Sequence, residues 1–336
     1  MIRKEFTYLS HDGDHEIHAV EWRPGTGLEI ARGRKNGKPL AVLQIISGMC
    51  EYKERYDAFA AWLCRRGFVV VTHDQLGHGD TARSRGELGF FTSGNQSPAD
   101  TLLADIHKLR LLTAMKYPDV PYFILGHSLG SYLLCNYLAH PEYGKMTRDE
   151  GDPGPLAGAV IMGSGYVSPV VSTGALLLTH LIAAVKGWHY RSGFIRTIST
   201  GTGPYKLYDT FGVDPARSWL SKDQEIVKAY HANPKSNFIF TLNGYRGLLE
   251  SVLASCRKKN VRRIPKSLPL LMVSGSEDPV GNMGKGVRQM YSLFRHCGIT
   301  RIKPRLFAGD RHEILNETDR LKVYKYLLQW MKTKIK

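Results

Sequence analysis

Apolar residues along the chain recur in two rhythms. Short apolar-rich stretches at 6–9, 17–22, 40–46, 68–71, 122–126, 157–162, 268–273 and 302–307 have the length and boundaries of strands. Between them, apolar positions return every three or four residues. Tyr56, Phe59, Ala60 and Leu63 predict a helix stopping at Gly67. Leu102, Leu103, Ile106 and Leu109 predict another, opened by Ser97 as cap and Pro98 as first residue. Further helices are expected over 131–139 and 321–331. The first two runs flank Asp12-Gly13-Asp14 and read as an antiparallel hairpin; 34–38 reads as a second turn. The central runs are continuously apolar, as strands covered on both faces are. Strands alternating with helices give an α/β fold, with a mainly parallel central sheet, helices on both faces and ligands at the carboxyl ends of the strands.

The alternation lapses once. Residues 165–245 hold an apolar stretch at 170–185, a Gly/Ser/Thr-rich run at 197–203 and the aromatics Tyr205, Tyr208, Phe211, Trp219, Tyr230, Phe238 and Phe240. The chain therefore divides into a core of 1–164 and 246–336 and an inserted lid over the strand ends, expected to line a pocket. A length of 336 residues suits one large domain with an insertion.

Composition is that of a folded globular chain, 43% hydrophobic and 23% charged, but the net charge of +16 is high. The cations are scattered and no nucleic-acid motif accompanies them, which argues against a nucleic-acid partner. A basic surface is compatible with peripheral contact to an anionic membrane, or serves solubility alone. Cys50, Cys64, Cys135, Cys256 and Cys297 are odd in number and widely spaced, pointing to free thiols in a reducing compartment. The N-terminus lacks the tripartite signal pattern, and 170–185 falls short of the ~20 residues of a membrane span. A cytoplasmic location is expected.

The chemistry centres on Gly126-His127-Ser128-Leu129-Gly130, between a predicted strand and a predicted helix. In that setting a G-x-S-x-G run is a nucleophile elbow: the glycines remove Cβ atoms that would collide at a sharp turn, and the hydroxyl stands clear. A serine needs a base, and the base needs a third group to hold its tautomer. His312, after the last strand, is the candidate base. Asp278, after the 268–273 strand, is the candidate acid, with Glu277 and Asp310 as competitors. Backbone N–H groups of Leu129 and Met49 are the candidate oxyanion donors, Met49 lying in the loop after the 40–46 strand. Cys50 in that loop reads as a buried small residue. His73, Asp74 and His78 have the side chains of a zinc site but read as structural; no metal is assigned.

Taken together, the Ser47-Gly48-Met49-Cys50-Glu51 loop with Arg55-Tyr56, Asp74 with Gly77-His78-Gly79, the Ser128 elbow, Asp278 and His312 resemble the α/β-hydrolase superfamily. More closely they resemble its monoacylglycerol lipase/lysophospholipase branch, related to serine aminopeptidases. The resemblance implies an α/β-hydrolase fold and hydrolysis of an acyl ester or monoacyl lipid through an acyl-enzyme, with no cofactor. It implies that Glu51 and Arg55 contact the polar end of the substrate; an ion pair locking the oxyanion loop is the other reading of the two. Two positions depart from the family pattern: Ser47 precedes Gly48 where the family has His, and Leu315 stands where some members carry a second His. A peptidase or amidase, a small-molecule esterase and a non-catalytic binding protein are the alternatives. A lid acidic pair for a substrate amine, drawn from Asp209, Asp214, Asp223 and Glu225, would mark the first.

Overall fold

The computed structural model describes residues 1–25, 38–91, 97–147 and 152–335; the turn expected at 34–38 lies outside them apart from Lys38. One eight-stranded sheet runs through the molecule. Its strands are β1 (Ile2–Leu9), β2 (Glu16–Arg23), β3 (Ala41–Ile46), β4 (Phe68–His73), β5 (Tyr122–His127), β6 (Gly158–Met162), β7 (Leu270–Gly275) and β8 (Ile302–Phe307). Their order is β1-β2-β4-β3-β5-β6-β7-β8. β1 and β2 form the expected hairpin, turning at Gly13 with φ of 79°, and β2 joins β4 antiparallel. From β4 to β8 every pairing is parallel.

Helices α1 (Asp57–Cys64), α2 (Pro98–Lys116) and α3 (Leu129–Ala139) follow the strands, and α4 (Pro169–Lys186), α5 (Gly193–Thr200) and α6 (Gln224–Ala232) come after β6. Helices α7 (Leu242–Cys256), α8 (Lys258–Val261), α9 (Lys285–His296) and α10 (Arg320–Lys332) complete the chain. Every residue of β3 to β7 is buried, because helices cover both faces. Alternate side chains go to opposite sides: Leu43, Ile45 and Leu125 pack with α1 and α10, while Val42, Ile46 and Ile124 pack with α2 and α3. Ser97 caps α2, its Oγ accepting the Asp100 N–H, and Pro98 is the first helical residue, as its sequence predicts.

The departure from alternation is real and mostly helical. Between β6 and β7 run α4 to α6, joined by short 3-10 turns, and the chain returns along α7, on which α4 packs. The core was expected to resume at 246; α7 begins at Leu242 and carries the chain across that boundary without a break. Residues 170–185 were expected to be too short for a membrane span. They lie within an 18-residue helix, Pro169–Lys186, long and apolar enough to cross a membrane by length and composition, at about 27 Å with a rise of 1.5 Å per residue. Only Ser172, Thr179 and Ala183 of α4 are buried. Val170, Val171, Leu177, Leu181 and Val185 stand exposed.

Candidate active site

Ser128 connects β5 to α3 at a backbone conformation that few residues adopt, φ 53° and ψ −121°. Close packing enforces the glycines around it. A Cβ on Gly126 would collide with the Gly130 carbonyl, and one on Gly130 with the carbonyls of Ile46 and Ser47. A Cβ on Gly48 would stand 2.7 Å from Glu51 Oε2 and 2.9 Å from Ser128 Cβ, so the loop after β3 lies directly against the serine. Leu129 opens α3, and its N–H is one of the helix-terminal amides that have no acceptor within the helix.

His312 and Asp278 meet after β8 and β7. His312 Nδ1 lies 3.1 Å from each Asp278 oxygen. Asp278 also accepts the Ser274 hydroxyl at 2.7 Å and the Val280 N–H at 2.9 Å. Burial alone would raise the Asp278 pKa; the His312 ring beside it and these bonds outweigh burial and hold it below the ordinary carboxylate value. An ionised Asp278 requires the proton on Nδ1, leaving Nε2 as an acceptor. That Nε2 is buried and makes no hydrogen bond. Ser128 and His312 line one cavity of about 300 Å³ but are not hydrogen-bonded to each other in this structure. Of the competing acids, Asp310 binds Lys222 Nζ at 3.0 Å, and Glu277 takes part locally through its backbone, its N–H donating to the Asp310 carbonyl at 2.9 Å and its carbonyl accepting Tyr208 OH.

Met49, Glu51 and Leu129 line the same cavity. Glu51 Oε2 accepts the Gly48 N–H at 2.7 Å, the Tyr56 hydroxyl at 2.8 Å and His127 Nδ1–H at 2.7 Å, and Arg55 Nε approaches Oε1 at 3.3 Å. Burial opposes the Glu51 charge, yet His127, Arg55 and the Gly48 N–H drive its pKa far below the ordinary value. The same contact raises that of His127 against its burial, so the pair is a carboxylate and an imidazolium. Arg55 was expected to touch the substrate's polar end. Instead its Nη2 is bonded to Glu313, its guanidinium lies 4.7 Å from the Tyr230 ring centroid, and it is absent from the cavity wall. A carboxylate that the sequence did not single out claims it, and the ion-pair reading of Glu51 and Arg55 describes this loop. Glu313 could have been suspected only from its place beside His312.

The insertion supplies about half of the wall: Val171, Ser172 and Ala175 from α4, Ile198 to Thr200 from α5, and Tyr205, Trp219, Leu220 and Tyr230. Leu248, Leu249 and Val252 of α7 continue it. Of the aromatics expected to line a pocket, Phe211 is exposed, and Phe238 and Phe240 pack with His78 and Phe91. Near that group, Cys50 takes a φ of 57° and burial pushes its thiol up to about 12; all five cysteines are buried and unbridged. His73, Asp74 and His78 diverge. His73 bonds Tyr8, His78 accepts the Cys50 N–H at 3.3 Å, and Asp74 binds Lys53. Glu54, Asp74 and Asp80 do cluster, but the buried Lys53 ammonium pairs with all three.

The family model described as "Serine aminopeptidase, S33" matches residues 37–319. The chain belongs to this serine aminopeptidase (S33) family of hydrolases. It is 26% identical over 97% of its length to a monoglyceride lipase homolog of Monkeypox virus, covering 97% of that protein. A monoacylglycerol lipase of Mycolicibacterium smegmatis is 23% identical, with 98% of this chain and 97% of that one aligned. The structure of a thermostable carboxyl esterase from Bacillus coagulans, in complex with glycerol, superposes with a TM-score of 0.83 at 26% identity, each chain covered in full. The protein is an α/β-hydrolase.

Proposed function

We propose that the protein is a serine hydrolase that cleaves carboxylic esters, monoacyl lipids foremost. The observation that carries this reading is that Ser128, at a strained turn, lines the same cavity as a histidine whose Nδ1 is held by a buried carboxylate. Ser128 attacks the ester carbonyl while His312 Nε2 takes the hydroxyl proton and then delivers it to the leaving alcohol. Asp278 keeps Nδ1 protonated and offsets the charge that develops on the ring. The N–H groups of Met49 and Leu129 receive the negative oxygen; the Gly48 N–H is already spent on Glu51. Water then enters by the same route, and no cofactor takes part.

The insertion acts as a lid whose inner side, with Val171 and Ala175, faces Leu248, Leu249 and Val252 of α7, and together they form the apolar wall of the acyl arm. The names borne by the relatives agree with a monoacylglycerol substrate. The outer side of α4 serves as a peripheral membrane contact, bringing the entrance to where such lipids reside. The lid carboxylates that an aminopeptidase would need do not line the cavity. Asp209 and Asp214 hold turn amides, Asp223 caps α6 and pairs with Arg320, and Glu225 pairs with Lys228 at the surface. Glu51 and Glu313 do line it, but Arg55 and His127 neutralise them.

Replacement of Ser128 by Ala tests the assignment. Turnover of p-nitrophenyl esters and labelling by a fluorophosphonate probe are expected to fall to background with the fold intact. Retained turnover overturns it.

A further inference from the structure

Glu317 has no solvent exposure and lies five positions past His312, on the loop leading into α10. A buried carboxylate must be bonded to donors, and the donors here come from two directions. Oε1 accepts the backbone N–H of Arg311, the residue immediately before His312, at 2.8 Å. Oε2 accepts the backbone N–H of Lys222 at 3.1 Å and the Ser221 hydroxyl at 3.3 Å, both from the insertion. The Thr318 N–H lies 3.3 Å from Oε2 and the Lys222 ammonium 3.9 Å from it. One side chain thus ties the peptide entering the histidine to the stretch between Trp219 and α6.

Backbone bonds continue that tie through the histidine itself. The His312 N–H donates to the Trp219 carbonyl at 3.3 Å and the Glu313 N–H to the Leu220 carbonyl at 2.7 Å. Arg311 Nη1 donates to the carbonyl of Ser218 at 2.5 Å, and Lys222 Nζ reaches back to Asp310. The Trp219 ring stands 5.0 Å from the His312 ring, centroid to centroid. Asp278 holds the histidine at one ring nitrogen, so where Nε2 points also depends on the backbone that carries the ring. The backbone that carries the ring is held by residues 218–222.

From this geometry we infer that Glu317 is a positioning residue for His312, and that residues 218–222 of the insertion belong to the fixed frame of the site. The inference rests on the reading of His312 as the general base. A reacting atom displaced by ~1 Å can cost ~10²-fold in rate, so the seating of the histidine loop is expected to appear in turnover before substrate affinity.

The test compares the wild-type chain with Glu317→Gln and Glu317→Ala, and with Ser221→Ala combined with Lys222→Met, which removes the Ser221 hydroxyl and the Lys222 ammonium from the partner side and leaves the carboxylate itself in place. Exposed Lys228→Ala serves as control. The readouts are kcat and KM for a soluble p-nitrophenyl ester, the pH profile of kcat/KM, the rate of fluorophosphonate labelling and the melting temperature. The expected result for the Glu317 variants is a kcat lowered about 10–100-fold with KM within about threefold, a displaced acid limb of the pH profile, and labelling slowed in parallel. The double variant changes in the same direction by less. Glu317→Gln or the double variant melting lower but retaining wild-type kcat, pH profile and labelling rate overturns the inference, whether or not Glu317→Ala folds. The labelling rate reads the activated serine whatever the natural substrate. A wild-type chain that the probe labels but that spares lipid esters therefore contradicts the substrate reading alone; a chain that is not labelled removes the base on which this inference stands.

Discussion

At Glu51 one carboxylate oxygen receives a backbone N–H, a phenol and an imidazolium, all of them buried. Such a group is stable only while its partners are charged as found, which gives the pair with His127 a pH signature. The Glu51 pKa is depressed in the fold, so its contribution is present above the unfolded value of ~4.3 and is lost as pH falls through the folded value. That of His127 is raised, so its contribution is full below ~6.5 and is lost as pH rises through its folded value. The two overlap between roughly pH 4.3 and 6.5. His127→Gln is therefore expected to lower unfolding free energy most in that window, by about 3–5 kcal/mol, and by clearly less at pH 9. Urea denaturation at a series of pH values measures this; a penalty independent of pH shows that the pair is not ionised. The same residues show where sequence reading stops. Ser128, His312 and Asp278 are legible because each follows a strand and the chemistry demands their types. Glu313 and Glu317 are not, because a carboxylate on an irregular loop carries no periodic signal and finds its partners only once distant segments have folded together.

Individual elements were legible in proportion to their burial. β3 to β7 read as unbroken apolar runs because helices cover both faces, and α2 announces itself by a cap and a proline. In the insertion, short helices and 3-10 turns rest on side chain-to-backbone bonds such as Arg191 to the carbonyls of Ile239 and Gly86, which no pattern encodes. Helix α4 combines both cases. Its apolar length is plain in the sequence, but an apolar helix is ordinarily expected to face a core, and this one turns only a narrow strip inward. Ala175 on that strip lines the cavity where α4 approaches Leu248 and Val252. The apolar wall predicts a wild-type activity that rises from two-carbon toward medium or long acyl esters. Ala175→Phe is expected to shift the optimum to shorter chains while two-carbon turnover changes by less than about threefold, since close-packed walls do not absorb an added ring. A p-nitrophenyl ester series measures it, and an unchanged profile in the variant places the acyl chain elsewhere.

For the whole molecule, the question is how the net charge of +16 and the bare apolar face of α4 relate to a membrane. They lie at different ends. The site and the insertion sit at the carboxyl ends of the parallel strands. The exposed run Arg257, Lys258, Lys259, Arg262 and Arg263 sits on and beside α8, in the segment leading into the amino end of β7. Screening at physiological salt has a length of ~8 Å, so that run contributes little to a surface touched by α4. Helix α4 itself carries one lysine or arginine, Lys186 at its end; of the next two, Arg191 is held by the carbonyls of Ile239 and Gly86 and Arg196 lies over the Phe211 ring. Burial of Leu177, Leu181 and their neighbours therefore supplies most of the attraction, at ~25 cal/mol per Å² of apolar surface, and salt does not screen that term. The wild-type protein is expected to bind phosphatidylcholine vesicles containing a minority of anionic lipid, and to keep most of that binding in 0.5 M NaCl. Leu177→Ser combined with Leu181→Ser is expected to reduce co-sedimentation at least fivefold and to lower turnover of vesicle-borne monoacylglycerol, with hydrolysis of a soluble two-carbon ester unaltered. Both changes lie on the exposed side of α4 and outside the cavity wall, so a loss confined to vesicles separates docking from catalysis. Binding abolished by salt and indifferent to the two leucines assigns the contact to charge and removes α4 from it.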